Sequence, residues 1–225
     1  LAFAGGAMVY VSLTEIFNKS SEAFGQVYDK DKAFAAATLA FLAGMGAIAL
    51  IDRLVPNPHE TLDPHDPAFQ ENKRRHIARV GMMAAFAITA HNFPEGLATF
   101  FATLENPAVG MPLALAIAIH NIPEGISIAA PVYFATRNRK KTVLACLASG
   151  LAEPLGAVLG YTMLKPFLSP FVFGAVFGVI AGVMVFLALD ELLPAAKRYS
   201  DGHETVYGLT SGMAVIALSL VLFHF

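Results

Sequence analysis

A histidine followed four residues later by a glutamate occurs twice in this chain, in HNFPEG at 91–96 and in HNIPEG at 120–125. On a helix, residues i and i+4 share a face, so His91 with Glu95 and His120 with Glu124 each form a two-donor edge. Asn92 and Asn121 directly follow the histidines and add amide oxygens. Pro94 and Pro123 stand between the members of each pair. Each lacks an N–H and crowds the carbonyl four residues back, so the oxygens of Ala90 and Ile119 are expected to be released. Both copies lie in long apolar stretches, where an ionisable side chain is costly and marks a functional site.

A third acid belongs with them. Glu95, Glu124 and Glu153 are spaced by 29 residues each, and the midpoints of the two intervals fall in ENPAVG and in RNRKK. If these are the turns of antiparallel helices, roughly 14 residues at about 1.5 Å each bring all three carboxylates to one depth, near the middle of a bilayer. Anions at that depth need protons or a counter-charge. No Lys or Arg lies near the motifs in the three stretches, which leaves protons or a metal cation. Two imidazoles, carboxylates and amide oxygens form a mixed nitrogen and oxygen set suited to Zn2+, Fe2+ and Mn2+. The absence of Cys and Met from the motif argues against Cu+. Two His and two Glu around one dication are formally neutral, which makes burial tolerable. A single His in an apolar helix is ordinarily an interhelical hydrogen-bonding residue, and Pro is common in membrane helices. The repeat, with a third acid at matched depth, is what separates this chain from that case.

The elements that position these residues follow from composition and hydropathy. The 225 residues are 56% hydrophobic and 14% charged, against about 25% charged in soluble domains, and the mean hydropathy is +0.60. These values predict an all-α polytopic membrane protein. Seven spans are expected: Leu1–Phe17, Ala33–Val55, Val80–Leu104, Pro112–Thr136, Thr142–Leu164, Phe171–Leu193 and Tyr207–Phe225. Polar loops are expected at Asn18–Lys32, Pro56–Arg79 and Pro194–Val206, with short turns at Glu105–Met111 and Lys165–Pro170. The chain opens at Leu1 inside an apolar run with no initiator Met, so a preceding segment is expected. The single cysteine, Cys146, excludes an internal disulfide framework and a thiolate cluster. The net charge of −2 says little about partners. The lipid bilayer and metal ions are expected, nucleic acid is not. Eleven Lys and Arg fall in 53–79, 137–141 and 197–198, against four in the remaining loops. The first set therefore faces the cytoplasm and the C-terminus lies outside.

HNFPEG, HNIPEG and GLAEPLG, in three successive spans, resemble the ZIP (Zrt/Irt-like) metal-ion transporters, nearest to their bacterial zinc-uptake branch of broad divalent-metal specificity. The resemblance extends over AFAGGAMVYVSLTE at the start and LDELLP late in the chain. It implies a transporter of the cell membrane that moves zinc, with iron, manganese, cadmium and cobalt as further substrates, into the cytoplasm. It also implies a binuclear site. His91, Glu95, His120 and Glu124 would hold one ion, and Asn92, Glu95, Asn121, Glu124 and Glu153 the other, with the two Glu bridging. The family has eight spans, so the seven here would be its second to eighth. An elevator-like alternating-access mechanism and a homodimer are implied as well. The scaffold would be 1–55 and 171–225, the metal-binding helices 80–164, and the cytoplasmic loop 56–79. Gly174, Gly178 and Gly182 form a small-residue stripe that fits either a dimer seam or tight packing within the chain.

Further residues suggest a pathway. His59, His65 and His76, with Glu60, Asp63 and Asp66, could receive metal on the cytoplasmic side, or form an ordinary solvated loop. Asp190 and Glu191 fall near the inner face and Glu15 near the outer end of its span, either as pathway residues or as helix-end acids meeting water. His203 and His224 read as interface residues. The competing function is a membrane-embedded di-metal enzyme, since Glu and His on bundle helices also build di-iron sites. Those use Glu-x-x-His, whereas here His precedes Glu by four residues with Pro between, and proline-broken helices at mid-membrane are typical of transport pathways.

Overall fold

The structure, a computed structural model, describes residues 1–54, 85, 88–89, 92–104, 107–197, 200 and 202–223. Within them, the side chains of 51–52, 54, 108–113, 116, 120, 123, 127, 131 and 223 lie outside the description.

All regular structure among the described residues is helical. Helix α1 (Ala2–Val11) passes through a π-helical turn (Ser12–Ile16) directly into α2 (Phe17–Gly25), and a short turn leads to α3 (Lys30–Leu54). Helix α4 (92–104) carries the first motif and α5 (Pro107–Thr136) the second. Helices α6 (Arg139–Gly150) and α7 (Ala152–Leu164) make one span bent at Leu151. A 3-10 turn (Lys165–Phe167) precedes α8 (Pro170–Leu187), which continues through a second π turn (Ala188–Leu192) into α9 (Leu193–Lys197). Helix α10 (Glu204–Phe223) completes the described chain.

Lys30–Leu50, Arg139–Phe167, Pro170–Lys197 and Glu204–Leu222 are each long and apolar enough to cross a membrane, whose hydrocarbon core is ~30 Å thick. The other expected spans are helical wherever they are described. Large apolar side chains face outward, among them Phe34, Leu39 and Leu42 on α3, Leu144 and Leu147 on α6, and Leu218 and Leu222 on α10. This is the surface that lipid, not water, would cover. Hydroxyls behave accordingly: Thr14, Thr38, Thr99, Thr136 and Thr210 each donate to the carbonyl four residues back in their own helix. The chain is an all-α polytopic membrane protein.

Several boundaries differ from the sequence expectation, each for a local reason. Asn18–Lys32 is not a loop, because α2 continues to Gly25. Ser20, Ala23 and Phe24 recur at helical spacing and are buried, and the Ser20 hydroxyl donates to the Gly174 carbonyl at 2.6 Å. Polarity misled here, since the buried face is small and half-polar. Asp29 then starts α3: it accepts from the Lys32 amide at 3.1 Å and from Lys32 Nζ at 2.6 Å. The Lys32 ammonium holds the Asp29 carboxyl below the usual carboxylate range. The turn at Glu105–Met111 is shorter than expected, because α5 already starts at Pro107, where a missing N–H costs a helix nothing.

Prolines act unevenly. Helix α5 runs unbroken through Pro123, because a 30-residue helix supported by its neighbours absorbs the loss of one hydrogen bond. The span expected at Thr142–Leu164 does break. Pro154 offers no N–H to the Gly150 carbonyl, α6 ends at Gly150, and the ladder resumes with Leu155 N donating to Leu151 O at 3.2 Å. The loop expected from Pro194 is instead helical as far as Lys197, since the π turn that ends at Leu192 has already shifted the ladder out of its i−4 register.

Glycines set how closely the helices approach. A Cβ on Gly6 of α1 would lie 1.9 Å from the Leu209 carbonyl oxygen of α10, and one on Gly212 would lie 2.0 Å from that of Phe3. Helices α3 and α8 meet the same way, Gly44 against the Val179 oxygen at 2.2 Å and Gly182 against that of Phe41 at 2.0 Å. The stripe of Gly174, Gly178 and Gly182 is thus occupied within the chain, by Phe24, Ala40 and Phe41. Of its two expected uses, tight internal packing is the one the fold makes of it.

Candidate metal site

The first and third motifs are locked together backbone to backbone. A Cβ on Gly96, the last residue of HNFPEG, would lie 2.0 Å from the Glu153 carbonyl oxygen. Reciprocally, a Cβ on Gly156 would lie 2.1 Å from the Phe93 oxygen. One turn further along, Phe100 meets Tyr161 edge to face at 5.3 Å. Helices α4 and α7 therefore cross at their motifs with nothing between them, which sets Gly96, next to Glu95 in the chain, against the backbone of Glu153. Glu95 is fully buried, and Glu124 and Asn92 are 2% and 3% exposed. Glu153 sits in the first turn of α7, where the helix dipole favours a carboxylate. The bend at Leu151 is what creates that helix start in mid-span.

Both asparagines are oriented by their amide nitrogens. Asn92 Nδ2 donates to the Ser149 carbonyl at 3.2 Å and to Ser149 Oγ at 3.3 Å. Asn121 Nδ2 donates to Glu153 Oε1 at 2.5 Å. Only the nitrogen end of an amide can face a carbonyl or carboxylate oxygen, so each Oδ1 is turned the other way. Both Oδ1 atoms are buried and have no hydrogen-bond partner among the described residues. A buried polar atom without a partner calls for one, and an amide oxygen is a ligand for hard or borderline cations.

These groups share a cavity of about 60 Å³, measured as the space open to the centre of a water molecule. Asn92, Asn121, Glu124 and Glu153 supply its polar lining, together with Ser149. Ile88, Gly125, Ile128, Cys146 and Gly150 supply the rest. A water needs only about 10–15 Å³ on this measure, so several waters or a partly hydrated ion would fit. Among the described residues, no three His, Cys, Asp or Glu side chains form a ready-made metal cluster. Among the described residues, two carboxylates and two amides converge there.

Of the sequence-derived candidates, Asn92, Asn121, Glu124 and Glu153 meet at this cavity, and Glu95 is buried on the adjoining helix face. His91 lies outside the described residues, as does the side chain of His120. His59, Glu60, Asp63, His65, Asp66, His76 and His224 also lie outside them. Glu15 falls in the first π turn, and Asp190 and Glu191 fall in the second. His203 precedes α10 with its ring 6.1 Å from that of Tyr207. The sequence did not point to Ser149, which orients Asn92 from a different helix, or to Cys146 as a lining residue, the lone cysteine having served only to exclude a disulfide framework and a thiolate cluster. It also missed the reciprocal Gly96 and Gly156 contact, although both glycines lie in the motifs.

The chain matches one family model and several known proteins. Residues 55–220 match the family described as ZIP Zinc transporter. The chain is 90% identical over 225 residues to the zinc transporter ZupT of Neisseria meningitidis serogroup B, covering all of this chain and 84% of that protein. It is 71% identical to the zinc transporter ZupT of Xanthomonas axonopodis pv. citri, over all of this chain and 83% of the relative. Against the zinc transporter ZupT of Lysinibacillus sphaericus the identity is 46%, over 99% of this chain and 84% of the relative. With three helices delivering buried carboxylates and amides to one cavity in mid-span, the chain belongs to the ZIP zinc transporter family: it is a membrane carrier of divalent metal, not an enzyme.

Proposed function

We propose that the chain carries Zn2+, with Fe2+, Mn2+, Cd2+ and Co2+ as further substrates, into the cytoplasm by alternating access at a two-metal site. His91, Glu95, His120 and Glu124 hold the first ion. Asn92, Asn121 and Glu153 hold the second, together with Glu95 and Glu124, which bridge. The observation that carries this reading is the cavity shared by Asn92, Asn121, Glu124 and Glu153, with both amide nitrogens tied back.

The pattern of glycine contacts supports a moving unit of α4–α7 against a scaffold of α1–α3 and α8–α10. Backbone-to-backbone contacts occur within each group: α1 with α10 and α3 with α8 in one, α4 with α7 in the other. Between the groups, Phe101 and Phe173 meet through their side chains, edge to face at 5.3 Å. Interdigitated backbones resist sliding, whereas side-chain surfaces can exchange partners. In this reading the C-terminus lies outside, the chain works as a homodimer, and Asp190, Glu191 and Glu15 line the pathway.

The test is zinc uptake into proteoliposomes containing the purified protein and an internal zinc indicator. Uptake that saturates with external zinc is expected, with no chemical conversion of any co-solute. Vesicles that remain no more permeable to zinc than protein-free controls would overturn the proposal.

A further inference from the structure

The metal cavity has a soft donor in its wall that the motifs do not include. Cys146 is the only cysteine in the chain. It lies on α6, one helical turn before Ser149, and it lines the same cavity as Asn92, Glu124 and Glu153. Its thiol points to the Gly125 carbonyl oxygen at 3.5 Å, a weak contact that is readily given up. Asn92 lines the same cavity, and its oxygen is buried without a hydrogen-bond partner among the described residues. A cation drawn to that oxygen and to Glu124 therefore has sulfur within the same enclosure.

We propose that Cys146 is a specificity-determining residue of this site, supplying a sulfur ligand that biases it toward thiophilic divalent cations, with Cd2+ as the representative. Sulfur is a soft donor and the other donor atoms in the described lining are oxygens, so the thiol raises affinity for Cd2+ more than for Zn2+, and least for Mn2+. As the sulfur–cadmium bond forms, the S–H bond breaks and its proton passes to water in the cavity. No oxidant or reductant is involved. This inference rests on the transport reading above.

Two measurements on the reconstituted protein test it. Because the chain holds one cysteine, any sulfur-to-cadmium charge-transfer band that appears in the ultraviolet on adding Cd2+ belongs to Cys146. The band is expected in the unaltered protein and absent from Cys146→Ser. In competition uptake, Cys146→Ser and Cys146→Ala are each expected to lower the cadmium-to-zinc selectivity ratio about tenfold, the size of effect that tuning residues have at metal sites. A protein that transports zinc but shows no such band, or whose variants keep the original ratio, overturns the role of Cys146 and leaves the transport reading intact. A protein that takes up neither metal overturns the transport reading itself. The band is read on the unaltered chain, so the test does not depend on either variant folding.

Discussion

At the scale of single residues, the site depends on which end of each amide faces the cavity. Ser149 fixes Asn92 through two contacts, to its carbonyl and its hydroxyl. Ser149→Ala removes only the second and so loosens the ligand without deleting it. Weakening of zinc affinity by about tenfold is expected, the usual cost of losing a partner that orients a metal ligand, and a binding isotherm on purified protein measures it. Unchanged affinity would mean that the backbone contact alone holds Asn92. Glu153 offers a separate test, since it joins the site as a carboxylate with Ser149, not His, four residues before it. Glu153→Gln is expected to leave one ion bound in place of two, as counted by elemental analysis. Retention of both ions at unchanged affinity would remove Glu153 from the second site. The carboxylates and asparagines were legible in the sequence because the motif repeats at a 29-residue interval. Ser149 was not, because its tie to Asn92 spans 57 residues and two helices, a relation that local spacing does not encode. Cys146 had no signal beyond being alone.

At the scale of elements, the crossing of α4 and α7 brings the first motif against the third, Gly96 against the Glu153 backbone. Gly96→Ala forces a methyl into the Glu153 backbone, whose oxygen lies 2.0 Å from the ideal Cβ position, so the helices must separate. A loss of about 1–3 kcal/mol is expected, typical of overpacking, and should appear as a lower thermal midpoint in detergent. Gly46→Ala is the matched control, because a Cβ there meets nothing within 4 Å. It should stabilise α3 by up to about 1 kcal/mol through helix propensity. Equal effects of the two substitutions would show that the crossing is not tightly packed. Most helices were legible, since apolar runs of span length leave little choice of structure. Their ends were less so. Helix α2 was hidden by the polarity of NKSSE, although Ser20, Ala23 and Phe24 carry its buried face. The break at Leu151 was also hidden, because Pro94, Pro123 and Pro154 look alike in sequence.

At the scale of the whole molecule, the proposed mechanism has α4–α7 move as one group against α1–α3 and α8–α10. Bridging Phe101→Cys on α4 to Phe173→Cys on α8 with a bifunctional thiol reagent, in a Cys146→Ala background, joins the groups across their aromatic contact. Uptake is expected to stop on cross-linking and to return when a cleavable linker is cut. Continued uptake by fully cross-linked protein would contradict relative motion of the groups. The central claim is narrower: metal crosses the membrane through the cavity that Glu124 lines. Zinc uptake by Glu124→Ala in proteoliposomes tests it most directly, alongside the unaltered protein at equal reconstitution and with chromatography to show that the variant is folded. The account predicts a folded protein whose uptake falls to that of protein-free vesicles. Near-normal uptake by folded Glu124→Ala would contradict it.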